Sequence, residues 1–258
     1  MRNNKRLRLV RAALLLITIV CLIPVGQAYY LSYLHQKQQQ QLQRLWKTDY
    51  TADAELKEET EDTGAENIID LENLKELHVL NSDLAGWLKV EGTDISYPVM
   101  QCEDDEYYLN HNFYKKKDKY GCLYVKSIAD LHTPGTNFIV YGHNMKDGAM
   151  FGELDQYKSE SFYKNHAKIS FATLNEERIY EVMAVFEIQI EKESAFKYYQ
   201  FYQADTEEEF LDFYENVRKI SLYDTKVTAE FGDTFLTLST CSDYGKNGRF
   251  VVVAKRLL

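Results

Sequence analysis

Residues 234–255 read Thr-Phe-Leu-Thr-Leu-Ser-Thr-Cys-Ser-Asp-Tyr-Gly-Lys-Asn-Gly-Arg-Phe-Val-Val-Val-Ala-Lys. Two runs of β-branched and aliphatic residues flank a short polar stretch carrying Gly245 and Gly248, the pattern of a strand, a wide connection and a returning strand. Period-two alternation puts Thr237, Ser239 and Cys241 on one face of the first strand and Leu236, Leu238 and Thr240 on the other, with the leucines facing inward. Arg249, on the returning strand, reaches the same surface as Cys241. That pairing has chemical meaning, because a cysteine attacks as its thiolate. A neighbouring cation favours the thiolate and later the oxyanion that forms on the attacked carbonyl, whereas a carboxylate would disfavour both.

A thiol nucleophile needs a proton partner, and the chain has six histidines. His143, in Tyr141-Gly142-His143-Asn144, is the best placed, because a β-branched and aromatic run from Phe138 to Tyr141 delivers it to a loop and Gly142 permits a sharp turn there. His111, in Leu109-Asn110-His111-Asn112-Phe113, is the competitor. His35, His78, His132 and His166 sit in contexts with no obvious partner.

Further strands are expected at Trp87–Val90, Tyr97–Met100, Cys122–Val125, Lys168–Ala172 and Ile179–Ile190, separated by Gly, Asn and Asp turn residues. About eight strands in all suggest a closed barrel or a sandwich. One long helix interrupts the later strands. Asp205 or Thr206 caps it, Glu207 to Glu209 suit its positive end, and Phe210, Leu211, Phe213, Tyr214, Val217 and Ile220 form its apolar stripe. A second amphipathic helix is read from Ile68 to about Asn81.

Upstream of that helix, the Gln-rich residues 36–43 and the acidic residues 49–66 read as a stalk or linker. Arg2, Lys5, Arg6, Arg8 and Arg11 precede an uncharged stretch from Ala12 to Leu34, which as a helix would reach about 34 Å, enough to cross a bilayer. The positive cluster predicts that the N-terminus stays on the cytoplasmic side and that the rest lies outside. Gly26-Gln27-Ala28 offers an alternative, a cleaved signal peptide, which exports the body equally well. The expected organisation is a basic tail and signal anchor over 1–34, an extracellular linker over 35–67 and a catalytic domain over 68–258.

A net charge of -10 argues against a nucleic-acid partner, which would require phosphate neutralisation. Cys21 falls in the apolar run, so Cys102, Cys122 and Cys241 remain for the soluble part. An odd number leaves at least one free thiol, and no disulfide framework is expected.

Taken together, Tyr141-Gly142-His143-Asn144, Thr237-Leu238-Ser239-Thr240-Cys241 and Gly248-Arg249-Phe250-Val251-Val252-Val253 resemble the His, Cys and Arg signatures of the sortase family, in the family's order. The long helix before the cysteine strand, the helix before Trp87 and the stretch Tyr107 to Phe113 resemble class B sortases in particular. The connection between Cys241 and Arg249 is short, and no acidic cluster makes a calcium site. The resemblance implies a mainly β fold, an eight-stranded sortase-type barrel with peripheral helices, acting as a membrane-anchored cysteine transpeptidase. It further implies Cys241 as nucleophile, His143 as proton donor and Arg249 as electrostatic stabiliser.

A sortase of this kind cleaves a C-terminal sorting signal of a secreted protein after Thr and transfers the acyl group to a peptidoglycan precursor or cross-bridge amine. Ser239, Tyr141 and Asn110 are candidates for lining the peptide groove, and Tyr198 and Tyr199 weaker ones. No metal or organic cofactor is required, since thiol, imidazole and guanidinium supply the chemistry. The alternatives are a hydrolytic cysteine peptidase, a pilus-assembling sortase, or a non-enzymatic surface scaffold. The sorting motif is left open, as is a link to haem or iron acquisition.

Overall fold

The computed structural model describes residues 2–47, 71–131, 135–190 and 196–257. It divides into two units, the N-terminal chain up to Arg44 and a body from Leu45 onward. Helix α1 runs over Arg2–Lys47. By length and composition it can cross a membrane, and from Leu14 to Leu34 its large apolar side chains are exposed. The helix therefore continues through the Gln-rich stretch expected to begin the linker. Glutamine is a good helix former, and no glycine or proline occurs from Gln27 to Lys47 to stop it. The rest of the expected linker and the start of the second helix, including Ile68 and Ile69, lie outside the described residues.

In the body, eight strands close into a barrel. They are β1 (Leu84–Val90), β2 (Ser96–Met100), β3 (Leu123–Tyr124), β4 (Asn137–Tyr141), β5 (Lys168–Ala172), β6 (Glu177–Gln189), β7 (Phe235–Ser242) and β8 (Gly248–Arg256). The order around the barrel is β1-β2-β3-β4-β7-β8-β6-β5, and β5 pairs back onto β1. Two neighbours, β2 with β3 and β4 with β7, run parallel, and the others run antiparallel. A parallel pair needs a long crossover. The chain between β4 and β7 supplies it with β5, β6, the short helix α3 (Glu160–Asn165) and α4 (Glu207–Ile220).

The leucines of β7 face the barrel interior as expected. Leu236 and Leu238 pack there with Val140, Phe250, Val252 and Ala254. The opposite face is covered too. Met183, Phe186, Phe235, Val251 and Val253 pack against Phe210, Phe213, Tyr214 and Val217 of α4. Hence Val251-Val252-Val253 is apolar without alternation, as a strand buried on both faces should be.

On α4, residues 210, 213, 214 and 217 follow the helical period and are buried. Leu211, expected in that stripe, is exposed, because it lies about 100° around the helix from Phe210. Helix α2 (Leu71–Leu80) buries Leu74 and Leu77, while Leu80 faces solvent. A capping box opens α4. The Thr206 hydroxyl accepts from the Glu209 amide, and the Glu209 carboxylate accepts from the amides of Asp205 and Thr206. Thr206→Ala should therefore cost about 1 kcal/mol, which a thermal melt would read as a Tm lower by about 2–4 °C. An unchanged Tm would mean that packing alone holds this helix end.

Candidate active site

Strands β4 and β7 set the site. Their parallel register pairs Asn137 with Phe235 and ends at Tyr141 with Ser239. His143 and Cys241 each lie two residues beyond that last pair, so continuing the register places them side by side on chains roughly 4.8 Å apart. Three bonds extend the pairing past the end of β4. The Gly142 amide donates to the Ser239 carbonyl at 3.2 Å, and the Thr240 hydroxyl donates to the Gly142 carbonyl at 2.8 Å. The Asn144 side-chain amide then donates to the Cys241 carbonyl at 3.0 Å.

On its other side β7 pairs with β8, with Cys241 directly opposite Arg249. Directly opposed residues project to the same face with Cβ atoms about 5 Å apart. The hairpin closes through residues 243–247, with Gly245 (φ 68°) and Asn247 (φ 54°) in the left-handed region, and this compact turn explains the short Cys-to-Arg spacing. Backbone pairing thus brings Cys241, His143 and Arg249 to one rim of the barrel. Cys241 is exposed, while His143 and Arg249 are half-buried. Among the described residues Arg249 makes no ion pair, and its guanidinium donates to the Gly248 carbonyl at 3.0 Å.

The imidazole has a defined tautomer. His143 Nε2 lies 2.7 Å from the Leu109 carbonyl oxygen, which can only accept, so Nε2 carries hydrogen and Nδ1 is the nitrogen free to exchange a proton. The loop is braced from behind, since the Phe151 amide donates to the His143 carbonyl at 2.9 Å and Phe151 is fully buried. Gly142 is required for room rather than for a turn. Its φ is not in the left-handed region, and an added Cβ would lie 2.4 Å from Leu123 Cδ2 and 2.8 Å from Phe151 Cδ2.

Tyrosines form the wall next to this rim. Burial pushes the phenols of Tyr124 and Tyr198 up to about 12, with Arg249 opposing the shift and Cys241 adding to it in both cases. Both rings therefore sit within electrostatic reach of the thiol and the guanidinium, and at neutral pH both act as neutral hydrogen-bonding groups. Tyr141 stacks on Tyr124 with centroids 5.5 Å apart, and its buried hydroxyl approaches that of Tyr202 and has no other partner.

Other residues singled out by sequence stand apart from this chemistry. Ser239 lies on the Cys241 face but is buried, bonded to the Tyr198 hydroxyl at 2.8 Å, so it forms the floor beneath Tyr198 rather than open surface. Tyr198 is itself 1% exposed. The Asn110 side chain is exposed, one residue beyond the carbonyl that holds His143. His111 stacks on Tyr107 at 4.0 Å and its Nδ1 meets the Tyr107 carbonyl, a local structural role. His78 and His166 also have backbone carbonyl partners, so neither is as isolated as its sequence context suggests. His132 lies outside the described residues. Sequence reasoning missed three members of the site: Leu109 through its carbonyl, Asn144 through its amide, and Asp155, which accepts from that same amide.

Comparison with known proteins agrees with this fold. Residues 88–257 match the model of the sortase domain. The chain belongs to the sortase family. Its relatives are of class B: the sortase is 34% identical over 191 residues to sortase B of Listeria monocytogenes, covering 71% of this chain and 74% of the relative. Among solved structures it matches Clostridium perfringens sortase B with a TM-score of 0.66 at 30% identity, covering 72% of this chain and 100% of the other. The fold also matches a Staphylococcus aureus sortase B–substrate complex, with a TM-score of 0.73 at 24% identity over 88% and 97% of the two chains. The eight-stranded barrel is thus the sortase barrel, and the enzyme is a cysteine transpeptidase.

Proposed function

We propose that this sortase cleaves a C-terminal sorting signal after Thr through a Cys241 thioester and transfers the secreted protein to an amine of a peptidoglycan precursor or cross-bridge. The observation that carries the reading is the shared register of His143 and Cys241 beyond Tyr141 and Ser239, with Arg249 opposite the cysteine.

In the first step the Cys241 thiolate adds to the Thr carbonyl and an oxyanion forms, which Arg249 stabilises. The tetrahedral centre collapses, the peptide C–N bond breaks, and His143 Nδ1 gives its proton to the departing amine. In the second step the incoming amine adds to the thioester, loses its proton to Nδ1 and expels the thiolate. The Leu109 carbonyl keeps the Nε2 proton engaged throughout, so Nδ1 remains the exchanging atom. Tyr141 and Asn110 line the peptide path, and Ser239 contributes by holding Tyr198.

Residues 1–34 anchor the enzyme as a single-pass segment with its N-terminus inside, residues 35–67 link, and residues 68–258 form the catalytic domain outside the cell. The length of α1 and the basic residues before its apolar stretch support this orientation.

Incubation with labelled peptides of the Asn-Pro-x-Thr and Leu-Pro-x-Thr types, with an excess of amine, tests the reaction. The expected product is the amide of the Thr-terminated fragment, detected by mass spectrometry. Free acid alone would make the enzyme a hydrolytic peptidase, and an uncleaved set would overturn the proposed substrate class.

A further inference from the structure

We propose that Asn144 is a positioning residue of this site: its side-chain amide holds the His143 loop in register with the nucleophile strand, and Asp155 orients that amide. The inference rests on the reading of Cys241 and His143 as the reacting pair.

The paired register of β4 and β7 stops at Tyr141 and Ser239, two residues short of His143 and Cys241. Past Tyr141 the chain enters a loop, and a loop alone does not hold an imidazole to the fraction of an ångström that proton transfer needs. Asn144 spans the gap. One hydrogen of its Nδ2 goes to the Cys241 carbonyl at 3.0 Å and the other to Asp155 Oδ2 at 3.2 Å. The reverse orientation of the amide would set its oxygen against a carboxylate and a carbonyl, so these two acceptors determine the orientation.

Asp155 carries a long ion pair of its own. It sits in the turn of residues 152–158, and Lys158 Nζ lies 3.7 Å from its Oδ1 and 3.0 Å from Glu187 Oε1 on β6. An isolated bridge pairs Asn144 with Met150, a fully buried residue, which ties the asparagine backbone to the segment just before that turn. A charged acceptor strengthens the bond that it receives, and the Asn144 amide bridges that acceptor and the backbone oxygen of the nucleophile. The contacts of the Asn144 amide are to Asp155 and the Cys241 carbonyl, so Asn144 acts through Cys241 and His143.

A substrate-independent readout is the rate at which iodoacetamide alkylates Cys241 as a function of pH, followed by peptide mass spectrometry so that the other thiols do not contribute. The full chain is used, solubilised in mild detergent. Alkylation follows the thiolate fraction, which a well-placed imidazole raises. His143→Ala should slow alkylation at pH 7. Asn144→Ala should move most of the way to that curve, with a rate about threefold to tenfold below the unmodified enzyme at pH 7 and the same limit at high pH. Asp155→Ala should shift in the same direction by less, and Asp155→Asn, which keeps an acceptor oxygen, should recover most of that shift.

A displaced His143→Ala curve with Asn144→Ala and Asp155→Ala both matching the unmodified enzyme would overturn the positioning role while leaving the catalytic pair intact. An unmoved His143→Ala curve would remove the pair itself, and the role of Asn144 with it. Should Asn144→Ala fail to fold, the contrast between the two Asp155 variants decides the same question.

Discussion

Cys241→Ala is expected to abolish amide formation from a sorting peptide, a loss on the order of 10⁴-fold or more in kcat, the scale on which a covalent mechanism fails without its nucleophile. Neither Cys102 nor Cys122 can substitute. Burial pushes the thiols of Cys122 and Cys102 up, so both stay protonated at neutral pH; Cys122 is inside the body, and the Cys102 sulfur is engaged with the Asp104 carbonyl. The variant should fold normally, because Cys241 is exposed and its pairing in the ladder is made by backbone. Stability should change by less than about 0.5 kcal/mol. The measurement is product yield by mass spectrometry alongside a thermal melt. Retained transfer at an unchanged Tm would assign the nucleophile elsewhere.

Arg249→Ala should produce the second largest loss, about 10²–10³-fold in kcat, the range associated with removing a preorganised oxyanion donor. The structure gives the side chain no competing carboxylate among the described residues, so its charge is available to the developing oxyanion. Arg249→Lys should recover only part of the activity. Lysine keeps the charge but loses the planar fork that reaches two acceptors at once. Steady-state kinetics with the cleaved peptide separate the possibilities. Equal activity for the lysine variant and the native enzyme would reduce the role of Arg249 to unspecific charge. A raised KM with unchanged kcat would make it a substrate clamp without a part in the transition state.

The barrel was largely readable because its strands carry local signals. Period-two patterning, β-branched residues and Gly or Asn turns marked all eight strands, and the capping residues of α4 marked its start at Asp205 or Thr206, of which Thr206 is the cap. The cysteine and arginine were readable together because a hairpin couples residues that are near in sequence. Their partners were less so. Pattern marks Ser239 as sharing the Cys241 face, but its burial depends on Tyr198, 41 residues earlier in the chain. Leu211 and Leu80 carry apolar side chains that the fold leaves in solvent, since pattern registers hydrophobicity and not which helix face has a neighbour.

Local pattern specifies the set of elements, a thiol on one strand followed by a cation on the returning strand, and the resemblance to a family that uses both. The way the imidazole is held comes from the assembled barrel: a carbonyl 34 residues before it, and the amide of Asn144 bonded to a carbonyl 97 residues later. The first set arises from short-range periodicity and steric preference, which each segment carries within itself. The second depends on barrel closure, which brings β4 beside β7, and backbone carbonyls leave no trace in residue identity.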